Sequence, residues 1–301
     1  MRILIFGSSG FIGRNLVNSL SSNHELYTAD QHGTELNLLL DMESYEEVNS
    51  AITHFLPDVI INLAARTDLM GTKLDDYKVN WEGIYNITKS IQENNISPFV
   101  IHFSSMLVCK MGFKPLTMTD YCPDTIYGQS KVKSENILLE ESTNFPVLIL
   151  RPTTVWGYDA GKPYSTFIKI IRLVGWLRLS LFDAKRDFCD IRNLNKLISQ
   201  IIDSKDNLTR DYKRCFYISD SDKKSVNDLA EIIAMEKGSF IYKSNILEKS
   251  CLYIIKILSK FGDFLLRFSI KFPLNTRRIK NMNTSTNLPV EDLYKHLSEI
   301  S

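Results

Sequence analysis

Ile3-Leu4-Ile5-Phe6-Gly7-Ser8-Ser9-Gly10-Phe11-Ile12-Gly13 is an apolar run that ends on the first of three evenly spaced glycines. Four consecutive β-branched, aliphatic and aromatic residues without alternation suit a strand buried on both faces, as in a parallel sheet. From Phe11 to Leu20, the apolar residues Phe11, Ile12, Leu16, Val17 and Leu20 fall at helical spacing. Glycines between such a strand and such a helix permit a tight turn and let the backbone approach a ligand closely. The helix N-terminus then offers free N–H groups and a favourable dipole to an anion such as a pyrophosphate. The spacing Gly7-x-x-Gly10-x-x-Gly13 differs from the usual G-x-G-x-x-G, so the strand-to-helix context carries the dinucleotide reading.

Working outward, strand and helix alternate. Glu25 to Ala29 reads as a strand ending at Asp30, Glu43 to Phe55 as a helix, and Val59 to Leu63 as a strand. Asp76 to Asn94 is helical, Phe99 to Phe103 a strand, Tyr127 to Glu141 a helix, and Val147 to Leu150 a strand that stops at Arg151-Pro152. Crossovers of this length allow parallel pairing, and the pattern predicts an α/β fold, a doubly wound parallel sheet. Asp30 lies seventeen residues after Gly13. A carboxylate there accepts hydrogen bonds from the adenosine ribose and repels a 2′-phosphate. Gln31 and His32 follow it rather than an arginine, which favours NAD over NADP.

After Arg151 the pattern loosens: Gly157 to Pro163 is turn-rich, and Cys215 to Ser219 reads as one late strand. Between Ser250 and Phe272, apolar residues at 254, 255, 258, 261, 265, 268 and 272 predict an amphipathic helix, or a pair broken near Gly262. Packing against the chain's own substrate-binding part is the favoured role for it, with a membrane surface as the other reading. From Lys249 onward there are nine Lys/Arg against four Asp/Glu, although the whole chain carries only +1. A basic C-terminal part suits an anionic substrate, a membrane surface or simply a solvated lysine face.

Hydrophobic residues make up 44% and charged residues 24% of 301, which is ordinary for a globular protein and points to neither nucleic acid nor disorder. The five cysteines, Cys109, Cys122, Cys189, Cys215 and Cys251, are odd in number and lack zinc-site or redox-motif spacing. They fit a reducing compartment and no metal. The apolar run behind Met1-Arg2 is too short for a signal peptide, and no run of 18 apolar residues spans a membrane. The expected location is the cytoplasm.

The second chemical signal is Tyr127-Gly128-Gln129-Ser130-Lys131, with Ser105 upstream at a strand end. Residues four apart share a helical face. A free phenol has a pKa of about 10 and is a poor base near neutrality. An ammonium and an oxidised nicotinamide at roughly 4–5 Å would each contribute about 3–4 kcal/mol at an effective dielectric near 20. That is enough to bring Tyr127 into range for exchanging a proton with a substrate hydroxyl. Ser105 would hold the same oxygen.

Taken in order, the glycines, Asp30, Asp41-Met42, Leu63-Ala64-Ala65, Asn80, Ser104-Ser105, Tyr127-x-x-x-Lys131 and Arg151-Pro152 resemble the extended short-chain dehydrogenases/reductases. Arg186-Asp187-Phe188 followed by Ile191-x-Asn193-Leu194 is similar to that group's diphosphate-side segment. The resemblance covers residues 1 to about 235 and is strongest to the NAD-dependent epimerases and dehydratases of nucleotide-sugars. It implies a Rossmann-type domain over 1–154 plus about 187–219. A smaller, mostly helical substrate-binding part would comprise about 155–186 plus 220–301.

It also implies that Gly7, Ser9, Gly10, Phe11, Ile12 and Gly13 hold the cofactor pyrophosphate, with Asp41 and Met42 at the adenine. Leu63, Ala64 and Ala65 would border the cofactor. Asn80, Ser104, Lys131, Pro152 and Thr153 would sit towards the nicotinamide. Thr154 would face the sugar with Ser105, and Arg186 would pair with the substrate diphosphate, Arg277 or Arg278 assisting on charge alone. Relatives pair through the helices near Asp76 and Tyr127, so a homodimer is expected. Sugar dehydratases of the group carry an acidic pair after the active-site Ser/Thr. Met106 and Leu107 stand there and transfer no proton, and His102 reads as a packed strand residue. The expected activity is therefore 4-epimerisation of a nucleotide-diphosphate sugar, a step of polysaccharide biosynthesis. The alternatives are a 4-ketosugar reductase and, less favoured, a non-catalytic dinucleotide-binding protein.

Overall fold

The computed structural model describes residues 1–32, 38–141, 144–157, 160–161, 164–208, 213–268, 270, 272, 274–290 and 293. Parts of the expected turn at 157–163 and of the expected helix end at 268–272 lie outside them. The main sheet contains β1 (Arg2–Phe6), β2 (Glu25–Asp30), β3 (Leu38–Leu39), β4 (Val59–Asn62), β5 (Phe99–Phe103) and β6 (Val147–Pro152). Three further short strands follow, β7 (Thr154–Trp156), β8 (Trp176–Leu177) and β9 (Phe188–Asp190), before β10 (Lys213–Ile218) completes the sheet and β11 (Ile241–Tyr242) closes the series. The seven strands run in the order β10-β6-β5-β4-β1-β2-β3, with every neighbour parallel.

Period-two alternation explains why these strands read as continuous apolar runs. Ile3 and Ile5 pair with Val59 and Ile61 and point into one buried cluster, under α1 (Phe11–Leu20). Leu4 and Phe6 point the other way, into a second cluster with Ile60, Val100 and Ile149. That second face is covered by α2 (Tyr45–Phe55), α3 (Lys78–Glu93) and α4 (Ile126–Glu141). With helices on both faces, neither side of the strand meets water.

The chain order reverses between β4 and β1, the place where such sheets open a crevice at the strands' carboxyl ends. Gly7 leaves β1 on one side of it and Leu63 to Ala65 leave β4 on the other.

The remaining chain contains α5 (Tyr164–Val174), α6 (Ile191–Asp203), α7 (Lys205–Leu208), α8 (Val226–Lys237), α9 (Asn245–Leu266) and α10 (Thr276–Met282). Of these, α6 packs beside α1 on the main sheet through Leu194, Leu197, Ile198 and Ile201. A third cluster joins Trp156, Ile171 of α5, Phe188, and Leu229 and Ile233 of α8. Two-stranded pairs, β7–β9 and β8–β11, lie here.

The C-terminal helix differs from its apolar spacing in two respects. It is one helix that starts at Asn245 and runs through Gly262 without a break. Gly262 is instead the point of closest approach, where a Cβ would lie 1.8 Å from the Leu274 carbonyl oxygen. The expected packing stripe is also only partly covered. Ile255, Leu258 and Leu265 are half-buried, whereas Ile254, Phe261 and Phe268 are exposed. Among the described residues, no helix is long and apolar enough to cross a membrane.

Candidate active site

The crevice at the switch point is lined by Gly7, Ser9, Gly10, Asp30, Met42, Leu63, Ala64 and Ala65, all expected from sequence. Gly7 has φ +80°, and a Cβ on it would lie 2.6 Å from the Ala64 nitrogen, so the turns after β1 and β4 meet there. A Cβ on Gly13 would lie 2.3 Å from the Gly7 carbonyl oxygen. No side chain caps α1, and its first turn holds no acid. Its leading N–H groups and dipole are thus left for an anion. Asp30 closes the ribose side: Ser9 N–H donates to Oδ2 and His32 N–H to Oδ1, each at 3.0 Å. A carboxylate has about four acceptor positions, so both oxygens retain capacity for ribose hydroxyls. The glycine cradle, uncapped helix and carboxylate fit a dinucleotide.

Other expected cofactor residues lie behind this surface. Phe11 and Ile12 pack on the first core cluster. Asp41 does not line the crevice; its carboxylate accepts the Glu43 N–H at 2.9 Å and shapes the turn that presents Met42. Asn80 is buried, accepting the Arg66 N–H at 2.8 Å and donating to the Arg66 carbonyl at 3.1 Å and the Ser130 hydroxyl at 2.8 Å. Ser130 in turn donates to the Tyr127 carbonyl at 2.7 Å. Asn80 therefore ties the segment after β4 to the first turn of α4. Arg66 and Asp76 also line the crevice and were not expected. Arg66 directly follows the Leu63-Ala64-Ala65 run, which is the signal that would have found it.

At the C-terminal ends of β5 and α4's first turn, Tyr127, Lys131 and Ser105 come together, all buried. Tyr127 and the Ser105 hydroxyl share a hydrogen bond, and Ser105 Oγ also accepts the Leu107 N–H at 3.1 Å. Lys131 Nζ donates to the Phe103 carbonyl at 2.9 Å, which fixes the ammonium at the end of β5. Burial pushes the Tyr127 phenol up to about 12; the Ser105 hydrogen bond opposes that and the nearby Tyr77 adds to it. This runs opposite to the acidification expected from Lys131: the ammonium is turned to the Phe103 carbonyl and is not among the groups that shift the phenol, so desolvation outweighs the Ser105 hydrogen bond. Burial brings Lys131 down to about 8, against the pull of Glu135 one turn further along α4. His102 is fully buried between Asn62 and Ser134 and held neutral by desolvation, with no route to a substrate.

Beneath the pair lies an ion pair for which sequence raised no expectation. Arg151 donates through Nε to Glu135 Oε1 at 2.9 Å and through Nη2 to Oε2 at 2.5 Å, with both side chains fully buried. Tyr121 donates to Glu135 at 2.8 Å, the Ser104 hydroxyl donates to it as well, and Tyr121 and Tyr217 flank the guanidinium at 5.2 and 5.1 Å. Ser104 thus serves this network rather than the crevice. Glu135 four residues after Lys131 and an arginine closing an apolar strand were the available signals.

The substrate-side residues form a separate group. Arg186 is buried 5.6 Å from the Phe188 ring centre, and its Nε has no partner. Desolvation lowers its basicity against the phenol of Tyr164, which hydrogen-bonds Thr154. Pro152 ends β6, and the buried Thr153 hydroxyl beside it likewise lacks a partner. Such atoms mark places where a polar ligand would complete the bonding. Arg277 is held by Asp124 at 2.8 Å, two residues before α4, and the Arg278 N–H is capped by Asn275.

A crevice that fits a dinucleotide, together with a buried tyrosine and lysine one helical turn apart, defines a class of Rossmann-type, dinucleotide-dependent protein. Residues 3–213 match the NAD dependent epimerase/dehydratase family, and the chain belongs to it. It is similar to the UDP-glucose 4-epimerase of Vibrio cholerae, 28% identical over 255 residues that cover 77% of this chain and 75% of the relative. It is also similar to the dTDP-4-dehydrorhamnose reductase of Shigella flexneri, 31% identical over 58% of this chain and 56% of that one. In fold it resembles the UDP-glucose 4-epimerase of Thermus thermophilus solved with NAD. The TM-score is 0.65 at 17% identity, over 81% of this chain and 86% of that chain. These relatives thus include both a UDP-glucose 4-epimerase and a dTDP-4-dehydrorhamnose reductase.

Proposed function

We propose that the chain is an NAD-dependent 4-epimerase of a nucleotide-diphosphate sugar. The observation that carries the reading is Tyr127 hydrogen-bonded to Ser105, one helical turn from Lys131, in a chain whose crevice at the switch point ends on its ribose side in Asp30. Gly7, Ser9 and Gly10 would hold the cofactor pyrophosphate over the α1 N-terminus, and Met42 would lie at the adenine. Leu63, Ala64 and Ala65 would border the middle, with Pro152 and Thr153 towards the nicotinamide.

When bound, the oxidised nicotinamide supplies a two-electron acceptor and a positive charge beside Tyr127. Tyr127 would take the proton from the sugar's 4-hydroxyl as that carbon gives up a hydride and becomes a ketone. It would return the proton to the oxygen when the same hydride is given back to the ketone's other face, so that no net oxidation results. Ser105 holds the oxygen throughout. Lys131, one helical turn on and held by the Phe103 carbonyl, would bind the nicotinamide ribose, and Arg186 with Thr154 would orient the substrate's diphosphate and sugar. Met106 and Leu107 offer no proton for elimination of water.

The likeness to dTDP-4-dehydrorhamnose reductase favours a second reading, in which the same residues protonate a 4-ketosugar once. Asp30 argues against it where the reductant is NADPH, through repulsion of the 2′-phosphate. A homodimer through α3 and α4, and a cytoplasmic location in keeping with five free cysteines, complete the proposal. The test is to denature purified protein, identify the released dinucleotide by mass spectrometry, and assay UDP-, dTDP- and GDP-sugars without added cofactor. NAD release with epimerisation supports the reading; NAD(P)H consumption confined to ketosugars replaces it with the reductase.

A further inference from the structure

Helix α9 turns its two sides to different surroundings. On one side Ser259 and Gly262 are buried where the segment leading to α10 crosses. On the other, Ile246, Tyr253, Ile254, Ile257 and Phe264 are 81, 69, 53, 51 and 52% exposed. At about 100° per residue they fall in one arc of the helix. Along one edge of that arc stand Lys249, Lys256, Lys260 and Arg267, all exposed. The two carboxylates of the region face other partners, Glu248 accepting the Ser180 N–H and Asp263 the Thr276 N–H. A second exposed apolar pair, Leu173 and Val174 at 82 and 67% exposed, ends α5. A Cβ on the next residue, Gly175, would lie 2.6 Å from both the Phe240 carbonyl oxygen and the Tyr242 ring.

Lone apolar side chains on a surface are common, but a continuous exposed arc marks a docking face. Its charge selects the occupant. Between residues 243 and 282 there are nine Lys/Arg and two Asp/Glu. A second copy meeting this face with its own α9 would bring the same cations and no surplus of carboxylates, whereas an anionic lipid surface complements both the apolar arc and its basic edge.

We propose that α9 docks the protein on an anionic bilayer, lying in the plane of the interface with the arc from Ile246 to Phe264 among the acyl chains and the lysine edge among the headgroups. Among the described residues no helix is long and apolar enough to cross, so this is surface attachment. It requires no turnover and is tested apart from the enzymatic reading. The full chain is floated with vesicles of phosphatidylcholine alone and of phosphatidylcholine mixed with phosphatidylglycerol. Flotation is expected only with phosphatidylglycerol, falling as salt is raised. Lys256→Glu/Lys260→Glu and Ile257→Ser/Phe264→Ser are each expected to lower the bound fraction at least ~10-fold. Wild-type melting temperatures establish that the variants fold, and the charge variant keeps the test decisive if the serine variant does not. Protein that stays in solution with phosphatidylglycerol, or floats equally on both vesicles, overturns the proposal. So does a dimer that Ile257→Ser/Phe264→Ser converts to monomer, because a second copy then covers the face.

Discussion

Helices α1 and α9 are both amphipathic, yet they end in different environments. Leu16 and Leu20 of α1 are completely or almost completely buried against β1 and its neighbours, and its uncapped N-terminus faces the crevice. Along α9 only Ser259 and Gly262 are buried, and most of its large apolar residues remain half in water or fully exposed. Amphipathic spacing specifies that a face seeks an apolar partner; it does not specify that the partner belongs to the same chain. In the sheet region, apolar and polar groups alike are used internally, and the candidate chemistry rests on that enclosure. In α9 the corresponding surface is turned outward.

The sharpest way to break this contrast is to damage the enclosed polar core. Arg151→Met leaves Glu135 buried without its cation, and a loss of about 3–5 kcal/mol is expected. Urea denaturation measures it; an unchanged midpoint would mean that the ion pair is not sealed from water. Tyr127→Phe removes the phenol proposed to transfer the proton while keeping its packing. A fall of about 10³-fold in kcat/KM is expected, with melting unaltered. Retained turnover would remove Tyr127 from the chemistry and leave the crevice as a binding site only.

Lys131 supplies a pH-dependent test of the same enclosure. Its ammonium titrates at about 8 in the folded chain, below the ordinary lysine value of about 10.4 in the unfolded one. A lowered lysine makes the folded state bind fewer protons, so stability is penalised below pH ~8 and recovers as pH rises towards ~10. The penalty is on the order of 3 kcal/mol. Tyr127, raised to about 12, acts only above pH ~10, where the unfolded chain ionises first and stability falls. Lys131→Met is expected to abolish the rise between pH ~8 and ~10. Unfolding midpoints across that window check it, and an identical slope in the variant would place the ammonium in contact with water.

The smallest effects address the comparison directly. Ile61→Val in β4 is expected to cost about 0.5–1.5 kcal/mol. Ile257→Val in α9 should stay within about 0.5 kcal/mol, because little of that side chain leaves water. Similar losses at both positions, read by denaturant titration, would show that α9 is covered in solution.

The parallel strands, the helix after the glycines and Tyr127 with Lys131 were legible because local periodicity and spacing encode them. Asp30 was legible for the same reason, as the residue that ends a strand. Asn80 was expected on the nicotinamide side, whereas its use as a clamp between Arg66 and Ser130 depends on α3 packing beside α4. Glu135 and Arg151 went unread because they are sixteen residues apart on different elements, and only packing makes them one buried pair.

Sequence by itself therefore determined the strand–glycine–helix start, the parallel sheet and the placement of Tyr127 and Lys131 one turn apart on a helix, since each follows from interactions among residues near one another in the chain. Tertiary structure alone decided that burial raises the Tyr127 phenol, that Ser104 serves an ion pair, and that one face of α9 is left open. Desolvation and long-range contact set those outcomes, and neither has a signature in the spacing of residues along the chain.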